Sequence, residues 1–366
     1  MSIPAAPLPT LRDILHTLTT SPDNNGPWAR DSQQTSVFGQ GRTALAVGVD
    51  AIRRARNARR VRVWFPGYVC EDALRVLRGH AVDLAFYPVR EDLVPDWDCV
   101  GGEGLDSVDL EVFVLVHYFG FPNDGATARS FCDRREMVLI EDGAHVAGPL
   151  AGMGEGDMTF YSPSKILAGP QGGVLAAAPE LVTLPATASS GRISGPTIRW
   201  LFLRLAQKVF VRLGIPWHGL TGLEPAESSL GPEHCDRFTL RLLSVTSRHL
   251  AEAIEKRRAN YRVMSEGCLG IVGARPFRAE LPDEVCPYVF PILVDDGSAR
   301  IVQALKESGV PASKWPDLPR EVLARPQEHR VALDMYERLM LLPVHQSLRP
   351  TDLPLIVRRL RDVVAA

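Results

Sequence analysis

The chain holds 366 residues, with 41 basic against 43 acidic side chains and a net charge of -2. That balance lacks the basic excess of a dedicated nucleic-acid binder, and the 45% hydrophobic and 23% charged content is ordinary for a globular protein. No run of about 18 uncharged apolar residues is present to span a membrane, and the six scattered cysteines form no CxxC pair, so neither a metal site nor disulfide staples are expected.

The length predicts about two domains. Residues 1–30, rich in Pro, Asn and Ser, read as an irregular amino-terminal arm without the basic and apolar regions of a secretory leader, which points to a reduced, cytoplasmic protein. The arginine cluster from Arg53 to Arg62 reads as a solvated helix face running into a strand. Strands follow at 61–65, 82–87, 112–117, 137–140, 158–161 and 173–177, alternating with helices at 71–79 and 126–135. The run 112–117 is almost continuously apolar, as for a strand covered on both faces. Such alternation implies right-handed βαβ units and a largely parallel sheet. Two loop-like stretches, 184–191 and 214–235, then flank a helix at 197–213. In that helix Arg204, Lys208 and Arg212 recur every four residues beside a wide apolar remainder. It reads as buried in the core or at a subunit interface, with a lid or membrane-surface contact as the alternatives. A long helix through 238–261 leads into a second α+β section that ends in a helix at 355–364. The expected domains are therefore the arm at 1–30, a large α/β domain at 31–235 and a smaller domain at 236–366.

Three segments carry candidate chemistry, each where a loop leaves a strand or opens a helix. In doubly wound sheets such positions gather at the carboxyl ends of the strands. In Phe38-Gly-Gln-Gly-Arg-Thr-Ala-Leu45 glycines open a helix, where free amides favour a phosphate; a plain turn is the alternative. In Val138-Leu-Ile-Glu-Asp-Gly-Ala-His145, Asp142 lies just past an apolar strand, either to hold a protonated ring nitrogen or to cap. His145 follows three residues on. In Ser162-Pro-Ser-Lys165, Lys165 sits between two strands, either as a Schiff-base amine or as an exposed loop lysine. Pyridoxal phosphate needs a lysine for its aldehyde, an acid against its ring nitrogen and a phosphate cradle, and all three occur together here. Tyr68, just after the first strand, can cover the ring.

These motifs resemble the DegT family of fold-type I pyridoxal-phosphate enzymes, best known as sugar aminotransferases. The resemblance rests on Gly41-Arg-Thr-Ala-Leu45, Pro66-Gly-Tyr-Val-Cys70, Val116-His-Tyr-Phe-Gly120, Ile140-Glu-Asp-Gly-Ala-His145, Ser162-Pro-Ser-Lys165 and Gly172-Gly173. It extends more weakly through Lys256-Arg-Arg-Ala-Asn-Tyr261 and Leu342-Pro-Val-His-Gln-Ser-Leu348, and so from about residue 36 to the end. It implies an α/β fold-type I large domain with a mostly parallel sheet and a smaller C-terminal α+β domain. It implies that Lys165 forms the internal aldimine and shuttles the substrate proton, that Asp142 pairs with the pyridinium nitrogen, and that His145 lies near the ring's phenolate oxygen. Tyr68 would stack on the ring. Thr43 and Ala44 amides with the Ser162 hydroxyl would hold the phosphate, and Arg42 joins the cofactor-binding set.

The chain departs from the family in placing Ser162 closer to the lysine. It also reads Glu233-His-Cys-Asp-Arg-Phe238 where members present an Asn-Tyr-Arg segment from the partner subunit. Lys165 in place of a histidine argues against the dehydratase branch. The resemblance implies a homodimer that moves an amino group from an amino-acid donor to a keto sugar, cyclitol or nucleotide-linked sugar. The alternatives are another pyridoxal-phosphate reaction at an amino-acid side chain, or an inactive ligand-binding relative. Arg42, Arg237 and the Arg204, Lys208, Arg212 stripe can meet acidic groups on a substrate or simply face solvent.

Overall fold

The computed structural model describes residues 3–22, 26–30, 32–78, 81–101, 107–187, 189–213 and 235–365. The amino-terminal arm contains a helix, α1 (Leu11–Thr19), which corrects the expectation of an irregular segment. A capping box explains it: the Thr10 hydroxyl accepts from the Asp13 amide at 3.0 Å, and the Asp13 carboxylate accepts from the Thr10 amide at 3.1 Å.

Strands β1 (Gln34–Phe38), β2 (Val61–Pro66), β3 (Val82–Tyr87), β4 (Leu110–Val116), β5 (Val138–Gly143), β6 (Met158–Tyr161) and β7 (Gly173–Ala177) form one sheet in the order β1-β7-β6-β5-β4-β2-β3. The pairs from β3 to β6 are parallel, whereas β7 runs antiparallel to both β6 and β1. Helices α2 (Gly41–Ala55), α3 (Glu71–Leu74) and α4 (Gly125–Arg134) accompany these strands. In α2, Leu45, Val49 and Ile52 are spaced to share one face and are buried. The Arg cluster straddles the end of α2 and the start of β2. Arg53 and Arg54 pair with Asp50, whereas Arg62 is buried against Glu111 at 3.1 Å.

Beyond β7 come β8 (Ser189–Ser190), α5 (Gly195–Leu213) and β9 (Cys235–Asp236), which pairs with β8. Residues 214–234 of the expected loop, including Glu233, lie outside the described residues, as does the side chain of Arg212. α5 is built inside-out. Its polar Thr197 and Gln207 are buried, while Phe202 is 69% and Leu213 66% exposed, with Ile198 and Val209 on the same outward face. The core placement is thereby corrected, because the apolar face points away from the sheet.

The long helix expected through 238–261 is two helices, α6 (Arg237–Ser247) and α7 (Leu250–Cys268). Hydroxyls of Ser244, Thr246 and Ser247 donate to helix carbonyls three or four residues back, the local competition that ends helices. Helix α6 begins just past the expected domain boundary yet packs on the large sheet, since its Leu240 and Leu243 share a cluster with Val37, Tyr161 and Val174.

The remaining elements are β10 (Ala274–Pro276), β11 (Val289–Val294), α8 (Ser298–Glu307), β12 (Ser313–Lys314), α9 (Arg320–Leu323), α10 (Arg330–Arg338), β13 (Leu339–Pro343) and α11 (Asp352–Val364). Their strands make an antiparallel sheet in the order β10-β11-β13-β12. One apolar core runs through both sheets, with Phe113 and Leu139 from the first and Phe290 and Leu342 from the second. Among the described residues, no helix is long and apolar enough to cross a membrane.

Candidate active site

The carboxyl ends of β4, β5 and β6 set the candidate site. Asp142 is the next-to-last residue of β5, in register with Val116 on β4 and Phe160 on β6. Lys165 closes a single 3-10 turn (Pro163–Lys165) between β6 and β7, started by Pro163 at its first position. The Lys165 amide donates to the Ser162 carbonyl at 3.0 Å, which pins the turn.

Electrostatics links the predicted groups. Burial pushes the Asp142 carboxyl up, while the Ala144 amide on its Oδ1 at 2.9 Å, the Lys165 ammonium and His117 draw it back only in part. Burial, and then the Lys165 charge, hold His145 well below the usual histidine range. The Lys165 charge therefore acts on both Asp142 and His145. Nδ1 of His145 accepts from the Phe119 amide at 3.2 Å, so the ring proton belongs on Nε2. That acceptor geometry depends on a strained turn. Phe119, buried, takes φ 59° and ψ 14°, and Gly120 follows at φ 98°, where a Cβ would run into the Cys286 carbonyl.

The amino end of α2 meets the lysine turn directly. Gly41 packs so closely on Ser162 that a Cβ would overlap the Ser162 hydroxyl. This places a hydroxyl against a helix start, where first-turn amides lie outside the helix ladder and attract anions. Thr43 is buried there. The Ala44 amide differs from expectation: as the fourth helical residue it donates to the Gln40 carbonyl at 3.1 Å and is spent inside the helix. The Arg42 guanidinium pairs with Asp72.

Tyr68 is fully buried, and its ring stacks on Trp315 with centroids 4.7 Å apart. Its hydroxyl has no hydrogen-bond partner among the described residues. Trp315 also meets the edge of His145 at 5.9 Å, and Tyr288 stacks on His145 at 4.7 Å with its ring 5.8 Å from Lys165 Nζ. The segment after Trp315 reaches the same place, since Asp317 accepts from the Cys70 thiol at 3.2 Å and the Glu71 amide at 2.9 Å.

The structure thus places Lys165, Asp142 and His145, and separately Gly41, Thr43 and Ser162, at the carboxyl end of the parallel strands. Tyr288 and Trp315 escaped the sequence reading because they arrive from the second sheet, more than a hundred residues downstream. The aromatic beside a proline, as in Pro287-Tyr288 and Trp315-Pro316, is the faint signal that marked them. Arg204 donates to Gln207, and Lys208 to the Pro9 carbonyl, so both side chains have partners within the fold. Among the described residues no cluster of three or more His, Cys, Asp or Glu is placed to hold a metal ion.

The chain matches no protein-family model and no curated protein. Solved structures do resemble it. The aminotransferase TlmJ from Streptoalloteichus hindustanus shares 21% identity over 91% of this chain and 86% of its own, with a TM-score of 0.65. Helicobacter pylori PseC, an aminotransferase involved in the biosynthesis of pseudoaminic acid, shares 15% identity with all of both chains covered and a TM-score of 0.68. Spr1654 from Streptococcus pneumoniae, in its PLP form, shares 14% identity over 100% of this chain and 99% of its own, with a TM-score of 0.71. The chain therefore has the α/β fold of these aminotransferases, fold-type I, with its mostly parallel seven-stranded sheet.

Proposed function

We propose that the chain is a pyridoxal-phosphate-dependent aminotransferase that moves an amino group from an amino-acid donor to a keto sugar, cyclitol or nucleotide-linked keto sugar. The observation that carries this reading is that Asp142 at the end of β5 and Lys165 in the turn after the neighbouring β6 stand at the carboxyl ends of adjacent strands, with Ser162 of that turn packed on the helix start at Gly41. The donor set fits the cofactor. A helix start with a hydroxyl suits a phosphate, and a half-buried carboxylate whose charge is only partly compensated suits a cationic ring nitrogen.

Bound there, pyridoxal phosphate would supply an electron-accepting heterocycle that stabilises negative charge on the substrate carbon. Lys165 Nζ would hold the cofactor's aldehyde carbon and, once displaced by the donor's amine, would carry the proton from the substrate's α carbon to the cofactor. Asp142 would keep the ring nitrogen protonated. His145, with its proton on Nε2, would donate toward the ring's hydroxyl oxygen. Thr43 and Ser162 would hold the phosphate, and Tyr68 with Trp315 would supply the aromatic surface beside the ring. The three similar structures, all fold-type I, support the reading.

The division into domains at 31–235 and 236–366, a homodimer and a cytoplasmic location complete this proposal. The six cysteines, all free and four of them buried, are compatible with a reducing compartment. The test is a screen of amino donors against keto sugars, read by mass, with borohydride fixing pyridoxal phosphate onto the protein. The expected result is a label on Lys165, a donor converted to its keto acid, and one keto sugar that gains the amine in equal amount. An unlabelled Lys165, or a small group eliminated from an amino acid in place of that exchange, overturns it.

A further inference from the structure

Arg257, on α7, is completely buried. Its Nη2 donates to the carbonyls of Ile166 at 2.9 Å and Lys165 at 3.4 Å. Its Nη1 donates to Tyr288 at 2.9 Å and Pro287 at 3.1 Å, and its Nε to the Gln346 side chain at 2.9 Å. A guanidinium has five N–H donors in a rigid fork, and each of the five here has an acceptor, none of them a carboxylate. Gln346 returns to the same place and donates to the Ile166 carbonyl at 3.0 Å. Three distant stretches of chain are thereby tied at one cation: the lysine turn, the entry to β11 and the segment after β13.

We infer that Arg257 is the positioning residue that fixes the Lys165 turn against Tyr288, making the placement of the amine depend on the seating of the second sheet. The role given to Lys165 rests on the proposed function, but the fastening itself does not. A lysine at 257 would keep the charge on a single nitrogen with no planar fork, so it cannot reach all five acceptors. The carbonyls of Lys165 and Ile166 would then be free to turn, and the side chain with them.

Arg258 provides the matched control. It is also buried, 4% exposed, and donates to the carbonyls of Pro282 at 2.6 Å and Val285 at 2.7 Å and to the Asp283 carboxylate at 3.3 Å, with no hydrogen bond to the lysine turn. The experiment compares Arg257→Gln, Arg257→Lys and Arg258→Gln in the full chain by two readouts. The first is amide hydrogen exchange of the peptide over 162–168, which needs no cofactor. The second is the rate at which pyridoxal phosphate is fixed onto Lys165 under borohydride, per folded molecule. Both Arg257 variants should speed exchange in that peptide by about tenfold or more, with Lys the milder, while Arg258→Gln leaves it unchanged even if its melting temperature falls as far. Labelling should slow in step. Equal exchange in the three variants overturns the inference. Faster exchange at Arg257 with no labelling even of the unsubstituted protein instead overturns the proposed function and leaves the fastening intact. If Arg257→Gln does not fold, Gln346→Ala, which removes one acceptor of Arg257 and one donor to Ile166, should raise exchange in the same peptide by a smaller factor.

Discussion

Glu141 and Asp142 are consecutive residues at the end of β5, and alternation along the strand sends their side chains to opposite faces of the sheet. On the Glu141 face the fold supplies amide donors and a nearby histidine. Burial alone would raise its carboxyl, but His117 at 3.9 Å and the amides of Gly154 at 2.7 Å and Glu155 at 3.2 Å outweigh it, and the group is held below the usual range. Nδ1 of His117 accepts from the Asn123 amide at 3.0 Å, which turns Nε2–H toward Glu141. On the Asp142 face burial wins, and the carboxyl stays above its ordinary value. A carboxylate completed by its own chain is architecture. One whose charge the chain compensates only in part is, on the proposed reading, the partner of a cationic ring nitrogen.

The sharpest way to break that contrast is to neutralise each member. Asp142→Asn should cut transamination by about a thousandfold, the scale of losing a positioned proton-transfer partner, while the melting temperature at neutral pH holds or rises. A variant that melts lower and keeps its rate would reverse the assignment. Glu141→Gln should do the opposite. It leaves buried donors without their charged acceptor and should cost about 3 kcal/mol in denaturant unfolding, with activity falling only as the folded fraction falls.

The pH dependence separates the pair further. Glu141, depressed in the fold, contributes stability that is complete above its ordinary 4.5 and is lost as pH falls through the folded value. Asp142, raised in the fold, contributes in the reverse sense, complete below its ordinary 3.8 and lost as pH rises through the folded value. Unfolding curves should therefore show Glu141→Gln flattening the acid-side fall and Asp142→Asn gaining stability toward neutrality. His145, depressed by burial, adds its own loss as pH drops below 6.5, and His145→Gln should remove it. The smallest effect belongs to Thr159→Val. Its hydroxyl meets Glu141 at a long 3.4 Å, so the loss should be under about 1 kcal/mol by the same unfolding measurement.

Strands β3, β6 and β7 match the sequence reading residue for residue, because short apolar runs between glycine and proline punctuation leave few alternatives. Strand β1 went unread: Gln-Thr-Ser-Val-Phe has little apolar periodicity and earns its place by pairing with β7, a partner far along the chain. Helix α3 is shorter than the expected 71–79, giving way to turns after Leu74. The lysine, the aspartate and the helix start were legible because each sits in a local motif. Tyr288 and Trp315 left only the faint signal of an aromatic beside a proline, and Arg257, though inside Lys256-Arg-Arg-Ala-Asn-Tyr261, carries no local sign that it fastens the lysine turn.

The reversal of β7 beside β6 has a consequence for assembly. Lys165 lies on the connection between two neighbouring antiparallel strands, a closure of low contact order that forms quickly. Arg257, Tyr288 and Trp315 are synthesised long afterwards. A nascent chain halted in the middle would carry its amine on a finished hairpin with none of the aromatic or guanidinium company that disciplines it, so the timing of competence belongs to the last third of translation.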